Sequence, residues 1–148
     1  MIYTSRYANK ELTKDEYYAV AISLGLPKWP LKYKINSQCV MVAPKGYMLK
    51  MEKAPYRDAY MRKLAEEGSA KVIDTIRKFE LDAAEQNKSL VLLCFEDLTK
   101  PGQWCHRTMF SEWWEDKTGQ KIEELACFAP PKKQEPVKEE PVEQYSLF

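Results

Sequence analysis

The residues best suited to chemistry stand in two short groups between positions 94 and 107. Cys94 and Glu96 form one group, and Cys105, His106 and Arg107 form the other. A thiol, an imidazole and a carboxyl group in one pocket would supply a nucleophile and groups that donate or accept protons. We therefore interpret Cys105 and Cys94 as candidate nucleophiles, with Cys105 slightly ahead. His106, the only histidine of the chain, and Glu96 are candidate general acids or bases.

An anion is the ligand that this part of the sequence favours. A helix is predicted over residues 108–117, because large apolar side chains recur there at helical spacing: Met109, Phe110, Trp113 and Trp114. The N-terminus of a helix offers unpaired N–H groups and the positive end of the helix dipole. Arg107 adds a bidentate donor at that end, so we expect phosphate or another anion to bind there. Ser5 and Arg6, near the exit of a first strand, are predicted to join the same site.

A structural role for the same residues remains an alternative. Cys94 would then be a small residue of the core, and His106 would cap the helix. Arg107 would pair with Glu96 and hold the intervening loop.

A zinc site is a further alternative, with Cys94, Cys105 and His106 as ligands and Cys127 as a fourth. The spacing of these residues is not that of a zinc knuckle or a zinc ribbon. Adjacent Cys and His side chains also rarely bind one ion together. We therefore predict no metal ligands, and the sequence identifies no cofactor.

Strands and helices alternate around these residues. Leu90 to Cys94 is a continuous apolar run, which is typical of a strand buried on both faces of a parallel sheet. Strands are also predicted over residues 1–7, 17–23, 39–43 and 121–127. Helices or helical turns are predicted over residues 13–16, 55–68, 69–86 and 108–117. The pattern indicates an α/β fold with a mostly parallel sheet flanked by helices, and ligands bind such sheets at the carboxyl ends of the strands.

Composition limits the function only weakly. The chain has 148 residues, enough for one domain with a core, and a formal net charge of +1. No global electrostatic field therefore draws it to nucleic acid or to an anionic membrane. It has no apolar run of membrane-spanning length and no signal-peptide pattern, so we expect no membrane association. The four cysteines contain no C-x-x-C pair and are expected to be reduced thiols of a cytoplasmic protein.

The composition changes after residue 128. Residues 129–143 are rich in Pro, Glu and Lys and contain little to bury, so we predict a disordered linker. Residues 144–148 regain two large apolar side chains, Leu147 and Phe148, which gain nothing from exposure without a partner. The chain is thus divided into an α/β domain at residues 1–128, a linker and a short peptide.

The motifs C-x-E and C-H-R resemble those of the family catalogued as domain of unknown function 488. They are carried here by Cys94, Glu96, Cys105, His106 and Arg107. The resemblance extends over residues 1–128 and includes Ile22-Ser-Leu-Gly-Leu-Pro27, Tyr56, Tyr60 and Trp113. It implies an α/β, Rossmann-like domain, and it implies no activity, because the family is named for lacking one.

The last predicted segment, Gln144-Tyr-Ser-Leu-Phe148, resembles the pentapeptide by which bacterial proteins bind the replicative sliding clamp. That motif has glutamine, usually leucine, then serine or aspartate, leucine and phenylalanine, and Tyr145 departs from its commonest form. The resemblance implies that the DNA polymerase sliding clamp is a partner, contacted by Gln144, Leu147 and Phe148. A position behind a disordered linker is the usual way in which such motifs are presented.

Together these patterns predict a bacterial or phage α/β protein that is associated with DNA replication or repair and recruited by the sliding clamp. Its sheet rim would bind a nucleotide, a phosphate or a nucleic-acid group, with thiol chemistry as an option. Two alternatives remain open: a thiol-dependent or small-molecule enzyme unrelated to DNA, and a non-catalytic adaptor whose cysteines only pack. The patterns do not decide whether the chain is an enzyme.

Overall fold

A five-stranded sheet forms the centre of the structure, a computed structural model that describes residues 1–126. The strands are β1 (Ile2–Arg6), β2 (Tyr17–Ala21), β3 (Ser37–Gln38), β4 (Ser89–Cys94) and β5 (Glu123–Glu124). They lie in the order β3-β2-β4-β1-β5, and every neighbouring pair is parallel. The predicted α/β fold with a parallel sheet is therefore confirmed.

Three α-helices join the strands: α1 (Lys53–Glu67), α2 (Ser69–Glu85) and α3 (His106–Thr118). Short 3₁₀-helices span Lys10–Lys14, Val40–Val42 and Gly46–Lys50. Gly68 separates α1 from α2 as predicted, and its φ of 96° is one that other residues rarely adopt. The helices α1 and α3 begin two residues before the predicted starts at positions 55 and 108, because a first helical turn carries little apolar periodicity.

Alternate strand residues pack on the two faces of the sheet. One set, including Leu90 and Leu92, joins the core that contains the apolar residues of α1, α2 and α3. The other set, including Val91 and Leu93, packs against Leu12 and the partly buried side chains around Tyr33. The α-helices therefore cover one face. The connections from β3 to β4 and from β4 to β5 contain the α-helices and run one way across the sheet. The connections from β1 to β2 and from β2 to β3 run the other way, so a common handedness puts the two pairs of connections on opposite faces.

The strand predicted over residues 39–43 is wrong, because this segment leaves the sheet. Its last ladder bond is the one from the N–H of Cys39 to β2, at 2.8 Å. The carbonyls at residues 40–42 then accept hydrogen bonds from the side chains of Lys63 and Tyr60 on α1. These donors take the place of a neighbouring strand, and the chain turns into a 3₁₀-helix.

Two predicted helical features also need correction. The first helical turn is Lys10–Lys14 rather than residues 13–16, because the side chain of Asn9 accepts a hydrogen bond from the N–H of Glu11 and begins the turn earlier. The helical spacing of apolar residues over 69–86 also predicts that Leu81 faces inward, but Leu81 in α2 is 65% exposed. It lies off the buried stripe formed by Val72, Ile76 and Ala83.

The end of the described chain pairs only through β5, a shorter strand than the predicted residues 121–127. Residue 127, the predicted linker at 129–143 and the predicted clamp peptide at 144–148 lie outside the described residues. None of the helices within residues 1–126 combines the length and the apolar character that crossing a membrane requires.

Candidate active site

A cleft opens at the carboxyl ends of the strands, between the end of β4 and the start of α3. β4 ends at Cys94, and the chain returns through a loop so that Cys105 is the N-cap residue of α3. The cleft has a volume of about 390 Å³. Its lining includes Ser23, Leu24, Leu49, Tyr56, Cys94, Phe95, Glu96, Trp104, Cys105 and His106. The structure thus brings four predicted catalytic residues to the rim where the sequence places a site.

The imidazole of His106 lies between the two thiols. Its Nδ1 atom is 3.7 Å from Cys94 Sγ and 3.6 Å from Cys105 Sγ. Its Nε2 atom is 2.7 Å from the carbonyl oxygen of Ile22, just beyond β2. A carbonyl can only accept, so Nε2 carries a proton and donates it there. In the neutral ring, Nδ1 therefore has a free lone pair that faces both sulfur atoms.

The two thiols differ in acidity, although both side chains are buried. For Cys105, burial opposes ionisation, but hydrogen bonds with Cys94 and His106 and the positive charges of His106 and Arg107 outweigh it and lower the pKa. The pKa of Cys94 is raised by its hydrogen bond to Cys105, by burial and by nearby negative charge. Cys105 is therefore the thiol that ionises first, and Cys94 stays protonated beside it.

Glu96 provides the carboxyl group of the cleft. The thiol of Cys94 donates to Glu96 Oε1 at 3.4 Å. Burial, followed by the negative charge of Cys105, raises the pKa of Glu96. The carboxyl group is thus disposed to hold a proton near the thiolate, as a general acid must.

Arg107 is not among the residues that line the cleft, although its side chain is fully buried. Its Nε and Nη2 atoms donate to the carboxylate of Glu124 on β5 at 3.0 and 2.8 Å, and Nη2 also donates to the backbone carbonyl of Glu96 at 2.8 Å. The guanidinium therefore ties the loop after β4 to the edge of the sheet. No Lys or Arg of the described residues lines the cleft, so the structure does not bring the predicted anion contact to it.

Ser5 and Arg6 also lie apart from the cleft lining. The Ser5 hydroxyl is buried, donates to the carbonyl of Arg6 and accepts a hydrogen bond from Asn9. The guanidinium of Arg6 pairs with Asp97 at 3.3 Å. The end of β1 thus holds its own loop rather than adding groups to the thiols.

The resemblance includes the segment that follows β2, but the sequence assigned this segment no role in the site. The carbonyl of Ile22 orients His106, and Ser23 and Leu24 line the cleft. Gly25 and Pro27 indicated that the strand before them ends near position 24. Because β2 pairs with β4 in parallel, the two strands end at the same rim of the sheet. The aromatic residues Tyr56 and Trp104 form another part of the lining, and the centroids of their rings are 4.8 Å apart.

Cys94, Cys105 and His106 are also the one group within residues 1–126 whose donor atoms are close enough to share a metal ion. Their two sulfur atoms and one ring nitrogen all lie within 4.8 Å of one another. The chemistry available to the cleft is therefore that of a thiolate nucleophile, a proton donor and a set of soft metal ligands.

Comparisons of the chain with protein-family models, with curated proteins and with solved structures give no match. The resemblance to domain of unknown function 488 and the resemblance to clamp-binding peptides both stay predictions.

Proposed function

We propose that this protein is a thiol-dependent enzyme that works at DNA, with Cys105 as its nucleophile. The observation that carries the proposal is the position of Cys105 Sγ, 3.6 Å from His106 Nδ1 in the wall of an open cleft. An imidazole at that distance takes the thiol proton, and the thiolate left beside it is a strong nucleophile. The hydrogen bond from Nε2 to the carbonyl of Ile22 keeps the ring in this orientation.

The catalytic step is the addition of the Cys105 thiolate to an electrophilic carbon of the ligand. A C–S bond forms, and the electron pair of the attacked double bond moves to the neighbouring atom. Glu96, in its protonated form, gives that atom a proton and becomes the carboxylate. Cys94 remains a neutral thiol that donates a hydrogen bond within the site.

The lining of the cleft favours an uncharged, planar ligand over a phosphate. Among the residues that the structure describes, the lining has one acidic side chain, Glu96, and no Lys or Arg to bind a phosphate. The walls carry the rings of Tyr56, Phe95 and Trp104, and aromatic rings stack on flat groups such as nucleobases. A volume of about 390 Å³ accommodates a group of that size. We therefore replace the expected anion by a nucleobase or a chemically similar ring as the substrate class.

Alkylation by iodoacetamide tests the nucleophile, with the modified cysteines identified by mass spectrometry between pH 5 and pH 9. Cys39 is the matched control, because it is also buried but burial raises its pKa and no imidazole contacts it. We expect Cys105 to react at least about tenfold faster than Cys39 at pH 6. The nucleosides uridine, cytidine, adenosine and guanosine should slow this reaction more than inorganic phosphate does. Equal rates for the two cysteines at pH 6 would contradict the proposal.

Recruitment to DNA is supported by the sequence at residues 144–148. Burial of Leu147 and Phe148 in a partner would contribute about 1.5–3 kcal/mol each, and the side chain of Gln144 would add hydrogen bonds. After the cost of ordering the peptide, an affinity on the order of micromolar is expected. A protein delivered by a ring on DNA also needs little affinity of its own for DNA, in agreement with the net charge of +1.

Calorimetry with a purified bacterial sliding clamp tests the recruitment. The full chain should bind, whereas the double variant Leu147→Ala/Phe148→Ala should lose at least about tenfold in affinity. Val142→Ala, which removes apolar surface just outside the pentapeptide, is the control and should bind like the full chain. Tyr145→Leu should bind more tightly, because it restores the commonest form of the motif. Unchanged binding by the double variant would remove the clamp from the proposal and leave the thiol site to be judged by alkylation alone.

A further inference from the structure

Two of the three distances between donor atoms in the cleft match the edges of a tetrahedral metal site. Zinc lies about 2.3 Å from cysteine sulfur and about 2.0–2.1 Å from histidine nitrogen, so the S···N edge of a tetrahedron measures about 3.6 Å. The distances from His106 Nδ1 to the sulfur atoms of Cys94 and Cys105 are 3.7 and 3.6 Å. The sulfur atoms themselves lie within 4.8 Å of each other. The three donor atoms thus lie close enough together to bind one ion.

The hydrogen bonding of His106 is that of a metal-bound histidine. Such a histidine donates its second ring N–H to a carbonyl or carboxylate, which fixes the tautomer and the ring orientation. Here Nε2 donates to the carbonyl of Ile22 at 2.7 Å, and Nδ1 is left to face the thiols. The use of Nδ1 also answers the objection that adjacent Cys and His side chains rarely share an ion. Nδ1 is the nearer of the two ring nitrogens to the backbone, so His106 reaches the sulfur of its own neighbour, Cys105.

We propose that Cys94, Cys105 and His106 form a Zn²⁺ site with a fourth position open to the cleft. Two sulfur ligands and one imidazole select zinc over magnesium or calcium, which prefer oxygen. All three side chains line the cleft, so the remaining position faces its interior, with Glu96 beside Cys94. The metal site goes beyond the proposed thiol chemistry. Bound zinc coordinates the sulfur of Cys105, so the metal-bound protein should resist alkylation, whereas the metal-free protein should react.

Cobalt substitution provides the direct test on the full chain. Co²⁺ bound by two thiolates and one imidazole should show a sulfur-to-metal charge-transfer band and the intense visible bands of a tetrahedral ion at one equivalent. Zn²⁺ should displace it stoichiometrically. Cys94→Ser should lose at least about tenfold in affinity and change both bands, because one thiolate is removed. Cys39→Ser, which alters a cysteine outside the cluster, should leave the spectrum unchanged.

Protection from alkylation gives a second measurement that needs no variant. One equivalent of Zn²⁺ should slow the alkylation of Cys94 and Cys105 at least tenfold and leave that of Cys39 unaffected, and a chelator should restore the original rates. An absent charge-transfer band, or equal rates with and without Zn²⁺, would overturn the metal site. The rates without metal report separately on the proposed nucleophile, so the two ideas fail independently.

Discussion

Replacing Glu124 by Gln should destabilise the protein more than removing Arg107 does. The guanidinium of Arg107 is fully buried and makes three hydrogen bonds, two to the Glu124 carboxylate and one to the backbone carbonyl of Glu96. Glu124→Gln leaves the cation buried without its counter-ion. Arg107→Met removes the cation and fills the space with an apolar side chain. The cost of an unpaired buried charge therefore falls on the first variant only.

The magnitude follows from burial. Breaking a buried ion pair by removing one partner costs roughly 3–5 kcal/mol. The Glu124 side chain is 39% exposed, so water reaches part of the pair and the lower end, about 3 kcal/mol, is expected. Arg107→Met should cost about 1–2 kcal/mol, since the carbonyl of Glu96 loses a donor while Glu124 stays partly hydrated. The double variant should be no less stable than Arg107→Met, because no buried charge remains in it.

Urea denaturation followed by circular dichroism measures these differences. With a typical dependence of the free energy of unfolding on urea concentration, Glu124→Gln should lower the urea midpoint of unfolding by about 2 M. Arg107→Met should lower it by about half as much. Glu123→Gln is the matched control, because Glu123 lies next to Glu124 on β5 and is exposed, and it should change stability by less than about 0.5 kcal/mol. A larger midpoint shift for Arg107→Met than for Glu124→Gln would refute the role assigned to the pair.

Three further variants probe other parts of the fold. Burial raises the pKa of Tyr60 well above 10. The neutral side chain therefore contributes its full stabilisation below pH 10, and this contribution decreases as the pH rises above 10. In urea unfolding at a series of pH values, Tyr60→Phe should reduce the alkaline loss of stability by about 1.4 kcal/mol per pH unit. Gly68→Ala should lower the free energy of unfolding by about 1–3 kcal/mol, measured by heat or urea, because Gly68 has a φ of 96°. Gly46→Ala is the control, because Gly46 has open space around it and no positive φ, and its effect should be near zero. Equal effects of the two variants would exclude backbone strain at Gly68. Phe110→Ala should cost about 3–5 kcal/mol, since the ring is fully buried in the core, and a cost below 1 kcal/mol would contradict that packing.

Local patterns predicted the elements whose side chains repeat at a regular spacing. The apolar run of β4 and the apolar stripe of α3 both lie where the sequence indicated them. The parallel sheet followed from their alternation, and its rim followed from the polar residues after each strand. Periodicity is a property of neighbouring residues, so it can be interpreted without knowing what the chain packs against. It is less informative at element ends, where capping by residues such as Asn9 decides the boundary.

Long-range partners decided the features that the sequence left open. Residues 40–42 leave the sheet because donors on α1, more than 15 positions further along the chain, reach their carbonyls. Arg107 had a suitable chemistry for an anion, but the folding of β5 against β1 supplies Glu124 as its partner.

The sequence by itself determined which chemical groups this protein has. It predicted seven site residues at one edge of a parallel sheet, and four of them, the two thiols, the imidazole and the carboxyl group, line the cleft. Only the tertiary structure decided which of those groups remain available. The carbonyl of Ile22, just beyond the end of β2, orients the imidazole toward two thiols, and Glu124 holds the guanidinium in an ion pair away from the cleft. The reason is that hydrogen bonds and ion pairs depend on distances of a few ångströms between residues far apart in the chain, which no local pattern contains.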